Sequence, residues 1–287
     1  MKLPAIPLLL TALACSVHGH PITPTAGGTG PYPATYTTEP TLTNHTIYLP
    51  AHPLPARAPR LPILIWGEGG CQNNGTRFAP FLTEIASHGY LVLASGPPNG
   101  TGMTSSQMMR DAILWASAKA SSACGGVYAH VDASRIAVAG QSCGGLETYQ
   151  MREDERVTGL GIFNSGLVAP GSVPDLPDDG NVLEDPSVIG EVHKPVFWFL
   201  GGDGDVAYPN GMRDYAALAG QPKWVGNYPV GHSGTYTQPN GGVFGVAAVK
   251  WLEFLLRGNK TTKAFFVDGG AEKAGWEETA SEGLDAL

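Results

Sequence analysis

From residue 61 onward, short continuous apolar runs alternate with stretches whose apolar positions recur every three to four residues. Leu61–Trp66, Tyr90–Ala94, Arg135–Ala139, Val157–Phe163 and Pro195–Leu200 are runs of the first kind. They lack the polar alternation of a half-exposed strand, so they predict strands buried on both faces of a parallel sheet. Phe78–His88 sets Phe78, Phe81, Leu82 and Ile85 at helical spacing, with Gly89 as a stop. Helices are also predicted over Ser105–Ala120, Leu146–Glu153, Tyr208–Leu218 and Val243–Leu256, and Lys223–Pro229 is expected to be the last strand. Strands alternating with helices predict an α/β fold, a mostly parallel central sheet with helices on both faces.

The flanks follow other rules. Lys2 precedes a short apolar stretch, Leu3–Ala14, and small residues stand at Val17 and Gly19. That arrangement predicts a secretory signal peptide over residues 1–19. Its apolar core, about 12 residues, is too short to span a bilayer. Residues 20–60 are expected to be an extended lead-in, with a possible first strand over Thr43–Leu49. Residues 61–266 form the predicted domain. Within it, 165–194 is rich in Gly, Pro and Asp without periodicity and reads as an insertion near the active site. Residues 267–287 are expected to be a flexible tail.

The 287 residues carry a formal charge of −8 with 43% hydrophobic content. An acidic chain with no cluster of Lys and Arg argues against nucleic-acid partners and against docking on an anionic membrane. Of four cysteines, Cys15 lies in the leader, which leaves Cys71, Cys124 and Cys143. One disulfide and one free thiol is the simplest outcome, with three pairings possible. Asn44, Asn74, Asn99 and Asn259 each begin a glycosylation sequon, in keeping with a secretory route.

Candidate chemistry centres on Gly140-Gln141-Ser142-Cys143-Gly144, set between a predicted strand and a predicted helix. A nucleophile elbow needs this context, because its tight turn tolerates only small residues two before and two after the serine. With 39 glycines in the chain, the motif carries weight only through its surroundings. A serine nucleophile needs a histidine to take its proton and an acid to orient that histidine. His232, in Gly231-His232-Ser233-Gly234, is the histidine that follows the Pro195–Leu200 strand. The alternative is a loop histidine packed on Trp224 or Tyr236. Asp203 and Asp205 both sit just beyond that strand, where an open parallel sheet places its functional groups. Capping a turn is their alternative role. Oxyanion donors are expected from the N–H of Cys143 and from the glycine loop after Trp66, at Glu68 or Gly69. Cys71 and Cys143 both flank that hole and are candidates for a disulfide across it. Pairings with Cys124, or no bridge, remain open. No P-loop, His-Glu-x-x-His or Cys-x-x-Cys occurs, so neither metal nor cofactor is called for.

Ser142, Asp205 and His232, in that chain order, resemble the α/β-hydrolase superfamily over about residues 60 to 266. Gly201-Gly-Asp-Gly-Asp205-Val-Ala-Tyr-Pro209, Gly231-His232-Ser233 and the helix from Ala247 are similar to a branch of secreted polyester hydrolases (cutinase-like), dienelactone hydrolases and chlorophyllase-like proteins. The elbow and Gly67–Asn74 look more like fungal secreted hydrolases. The resemblance favours Asp205 over Asp203 as the acid. Cysteine follows the nucleophile where polyester hydrolases usually have methionine or histidine, and 165–194 is longer. The resemblance implies a secreted, monomeric serine hydrolase acting on a small-molecule or polymeric ester. A peptidase, amidase or acyltransferase on the same triad is the alternative enzyme. A non-catalytic binding protein of the same fold is the alternative outside enzymes.

Overall fold

The apolar runs form the centre of a nine-stranded sheet in the computed structural model, which describes residues 26–55, 57–121, 127–171 and 185–287. In chain order the strands are β1 (Ala34–Glu39), β2 (Leu42–Pro50), β3 (Leu61–Gly67), β4 (Leu91–Ser95), β5 (Val131–Gln141), β6 (Val157–Phe163), β7 (Val196–Leu200), β8 (Lys223–Asn227) and β9 (Glu277–Glu282). Across the sheet they run β1-β2-β4-β3-β5-β6-β7-β8-β9. Pairing from β4 through β8 is parallel; β1–β2, β2–β4 and β8–β9 are antiparallel. The class is therefore α/β.

Each continuous run hides a period of two. On β3, Ile63 and Ile65 enter one core, whereas Leu64 and Trp66 enter the other. On β7, Trp198 and Leu200 oppose Phe197 and Phe199 in the same way. One face is covered by α1 (Ala79–Ser87), α5 (Gly242–Arg257), α6 (Lys260–Val267) and α7 (Gly270–Lys273). The other is covered by α2 (Ser106–Ser121) and α4 (Tyr208–Ala217), joined by Tyr149 at the end of α3 (Cys143–Tyr149). Because both faces are buried, no polar stripe appears in the strands.

The chain runs from β3 outward to β4, then crosses back to β5 on β3's other side. The segments leaving β3 and β5 lead to helices on opposite faces of the sheet. A crevice opens at such a switch point, beyond the carboxyl ends of the strands. The glycine loop after β3 and the Ser142 turn after β5 both lie there.

Both flanks depart from expectation. The lead-in contains the β1–β2 hairpin at the sheet edge, and the Thr43–Leu49 pattern falls within β2. Thr29 pins the segment before it, with its N–H 2.7 Å from the Glu84 carboxylate on α1. β1 (ATYTTE) has little apolar content because it lies at the sheet edge and stays half-exposed beyond Ala34. The expected flexible tail, 267–287, instead forms α7 and β9, so β8 is not the last strand. Trp276 anchors it, buried with its ring 5.2 Å from Phe244 and 5.7 Å from Trp224. β9 reads Glu-Glu-Thr-Ala-Ser-Glu and buries no face, which is why hydrophobic patterning does not reveal it. The expected signal peptide, Cys15 and Cys124 lie outside the described residues, as does 172–184 of the expected insertion. The insertion's far end packs Val188 and Ile189 into the α2-side core. Among the described residues, no helix is long and apolar enough to cross a membrane.

Candidate active site

β5 ends at Gln141, and the chain turns into α3 through Ser142 at φ 53°, ψ −116°. A non-glycine residue held there costs on the order of 1–3 kcal/mol. The turn is over-determined by contacts. A Cβ on Gly140 would collide with the backbone of Gly144, and a Cβ on Gly144 would collide with the carbonyl of Gly67. Elbow, helix and β3 loop thus touch backbone to backbone, which only glycine permits. The Ser142 N–H donates to Phe163 O at 3.0 Å, and its carbonyl accepts from Gly145 N at 2.9 Å and Ser165 Oγ at 2.7 Å.

Ser142, His232 and Asp205 are brought together as expected from the sequence. His232 Nε2 lies 2.9 Å from Ser142 Oγ, and His232 Nδ1 lies 2.6 Å from Asp205 Oδ1. Asp205 is 1% exposed, whereas Asp203 on the same turn is exposed. Burial alone would raise the Asp205 pKa. Hydrogen bonds from His232, the Ala207 N–H and the Asn164 amide outweigh burial and hold it below the ordinary carboxylate value. An ionised carboxylate only accepts, so the Nδ1 facing it carries the imidazole proton and neutral Nε2 accepts from the serine hydroxyl. The histidine loop is held from two sides. Gly231 N donates to Gly201 O at 2.9 Å, and Gln141 Nε2 donates to the His232 carbonyl at 3.0 Å.

Several positioning groups escaped sequence reasoning. Asn164, directly after β6, donates from Nδ2 to Asp205 Oδ2 at 2.7 Å, and Gly201 N reaches the same oxygen at 3.0 Å. Tyr236 donates its hydroxyl to Asn164 Oδ1. With Oδ1 so engaged, the amide can only present Nδ2 to the carboxylate. Asn164 had one legible signal: it stands at the carboxyl end of the strand beside the elbow, where an open sheet concentrates function. Tyr236 had none. It sits within an aromatic cluster that includes Trp66, Phe78 and Phe81, and its role depends on a partner 72 residues away. Tyr236→Phe should keep the packing but leave Asn164 Oδ1 buried and unpaired, costing about 1–3 kcal/mol of stability. A kcat loss of about tenfold at unchanged KM is expected alongside, equivalent to ~1.4 kcal/mol of positioning. Urea unfolding and steady-state kinetics check both; an unaltered kcat would mean that Asn164 holds Asp205 unaided.

The loop after β3 closes the crevice opposite. A Cβ on Gly144 would lie 2.8 Å from Glu68 N, and one on Gly69 would run into the side chain of Gln141. The candidate donors Glu68, Gly69 and Cys143 therefore belong to two segments in direct contact. Cys71 and Cys143 form a disulfide with their Cα atoms 5.2 Å apart. Of the pairings open from sequence, this is the one formed. Arg77 Nη1 holds the loop from outside, donating to Gly69 O at 2.9 Å.

Glu68 also contributes a carboxyl group that is fully buried, with neither oxygen in a hydrogen bond. The Trp66 indole N–H faces it without closing one. Burial pushes its pKa well above the ordinary glutamate value; the Arg77 charge and the Trp66 indole pull it back only in part, and Glu147 adds a smaller upward push. Folded protein keeps this proton where unfolded chain, titrating near ~4.3, releases it. Stability from this group is thus complete below that pH and is lost as pH rises toward the folded pKa. Glu68→Gln should match the native protein in Tm near pH 4 and exceed it increasingly from pH 5 to 8. Thermal melts across that range test it, and a constant difference would mean the carboxyl ionises normally.

Of the four sequon asparagines, Asn44 and Asn99 are exposed. Asn74 and Asn259 are half-buried, their Oδ1 atoms accepting from the N–H of Thr76 and Thr261. No protein-family model matches this chain and no curated protein resembles it at a significant level, so the chemistry of the site is read from the geometry of Ser142, His232 and Asp205 themselves.

Proposed function

We propose that the protein is a secreted serine hydrolase of the α/β-hydrolase fold that cleaves carboxylic esters through an acyl-enzyme. The observation that carries this reading is the hydrogen-bonded series Ser142–His232–Asp205, with the serine at a strained strand-to-helix turn. Ser142 Oγ attacks the acyl carbon while its proton passes to His232 Nε2. Negative charge builds on the carbonyl oxygen, and the N–H of Cys143 with that of Glu68 or Gly69 receives it. The tetrahedral intermediate collapses, the carbon–oxygen bond to the alcohol breaks, and His232 returns the proton to the departing alkoxide. Water, deprotonated by the same imidazole, then releases the acid and restores Ser142. Asp205 fixes the imidazole and offsets its transient positive charge. Secretion is supported by the leader pattern of residues 1–19 and by a disulfide, which persists in oxidising compartments.

A fluorophosphonate probe tests the nucleophile directly, since it phosphonylates an activated serine. The native protein should label and Ser142→Ala should not. Absence of labelling in the native protein, or its persistence in the variant, overturns the reading.

A further inference from the structure

Between the elbow and the start of α4 lies a cleft of about 100 Å³ that opens onto both Ser142 and His232. Its apolar walls are Cys143, Leu146, Val168, Val206 and Ala207, with Asn164, Ser165, Gly166 and Asn210 between them. We propose that this cleft is the acyl site and that it selects short, uncharged acyl groups of about two to four carbons. The proposal rests on the ester-hydrolase reading above and specifies its substrate class.

Size comes first. Pockets for drug-sized ligands run to about 300–1,000 Å³, and an apolar cavity of about 150 Å³ takes one benzene ring. In proportion, ~100 Å³ accepts about four carbons. An acetyl to butyryl chain fills it. A hexanoyl or octanoyl chain must leave it past Val206, which is 78% exposed at its edge.

The walls are fixed as well as close. Leu146 and Val168 pack with the Cys71–Cys143 disulfide in one small buried cluster. The segment after β6 is held on both sides of its backbone. Leu167 N donates to Asp214 Oδ2 at 2.6 Å, and Arg213 donates to Leu167 O. Asp214 is itself buried and also accepts from Tyr149 at 3.0 Å. Gly166 packs so tightly on Asn210 and Gly211 that a Cβ there would strike their backbone. Widening the cleft would break these bonds, so a longer chain cannot make room for itself at low cost.

Charge is excluded for a separate reason. Among the described residues that line it, none apart from His232 is ionisable: no Lys, Arg, Asp or Glu pairs there with a carboxylate or ammonium on the acyl chain. A charged chain would lose its hydration without compensation.

The test measures kcat/KM for the 4-nitrophenyl esters of acetate, butyrate, hexanoate and octanoate, and for the hemisuccinate after subtraction of its spontaneous hydrolysis. The expected result is a fall of at least tenfold from butyrate to octanoate and from butyrate to hemisuccinate. In Val168→Ala, the octanoate-to-butyrate ratio should rise at least fivefold. If that variant does not fold, the native series alone decides. Octanoate or hemisuccinate hydrolysed as well as butyrate overturns the proposal and leaves the hydrolase reading standing, as does a ratio unmoved in folded Val168→Ala. Turnover of none of the esters, with no fluorophosphonate labelling, overturns both.

Discussion

Asp205→Asn is expected to lower kcat on 4-nitrophenyl butyrate by about 10,000-fold, while Asp203→Asn should leave it within about twofold, as surface substitutions do. The two aspartates stand two residues apart on one turn. Asp203 points to solvent, whereas Asp205 is buried under four donors: His232 Nδ1, Asn164 Nδ2, Gly201 N and Ala207 N. An asparagine at 205 keeps the shape but presents an amide N–H or a weaker acceptor to His232. The proton on Nδ1 loses its reason to stay there, and Nε2 ceases to be a dependable base. Ser142→Ala removes the proposed attacking atom and should cost more, about a millionfold when the triad acts as a unit. Circular dichroism and melting confirm that each variant folds, and burst kinetics separate acylation from hydrolysis of the acyl-enzyme. Equal losses for Asp203→Asn and Asp205→Asn would dismantle the assignment of the acid.

Removing the disulfide through Cys71→Ser with Cys143→Ser should have a double effect, on stability and on rate. The bridge joins residues 72 apart in sequence. Opening a loop of that size restores conformational freedom to the unfolded chain, worth about 4 kcal/mol in the entropic model. The same bridge ties the loop carrying Glu68 and Gly69 to Cys143, the residue directly after Ser142. If the donors separate, kcat should fall by about 100- to 1,000-fold, the cost of losing one oxyanion donor. Urea unfolding gives the first quantity and kinetics the second, each repeatable on the native protein treated with dithiothreitol. A double variant that is destabilised yet keeps native kcat would show that Gly67 packing on Gly144 aligns the donors without the bond.

How much of this the chain reveals unaided depends on whether the causes are local. The buried strands are legible because a parallel sheet covered on both faces demands continuous apolar runs, and Leu61–Trp66 and Pro195–Leu200 are such runs. The elbow is legible because its geometry needs Gly140 and Gly144 at fixed spacing. Ser142 and His232 can be picked out because each stands just beyond a predicted strand; by position Asp203 and Asp205 are equal, the family resemblance favours Asp205, and burial then separates the two. β1 and β9 were not legible, because edge strands bury little and write little into the pattern; only Trp276 betrays that its segment is held.

Tertiary structure alone decided the rest. Asn164 and Tyr236 hold Asp205 through contacts between residues 41 and 72 positions apart, and such hydrogen bonds leave no periodic trace. The choice of Cys143 as partner for Cys71 required knowing that the β3 loop and the elbow meet at the point where strand order reverses. The dimensions of the cleft beside Ser142 depend on Gly166 lying against α4 and on Asp214 reaching Leu167. Local preference and burial set which elements form; only their packing sets the distances between side chains, and chemistry at Ser142 is governed by distances.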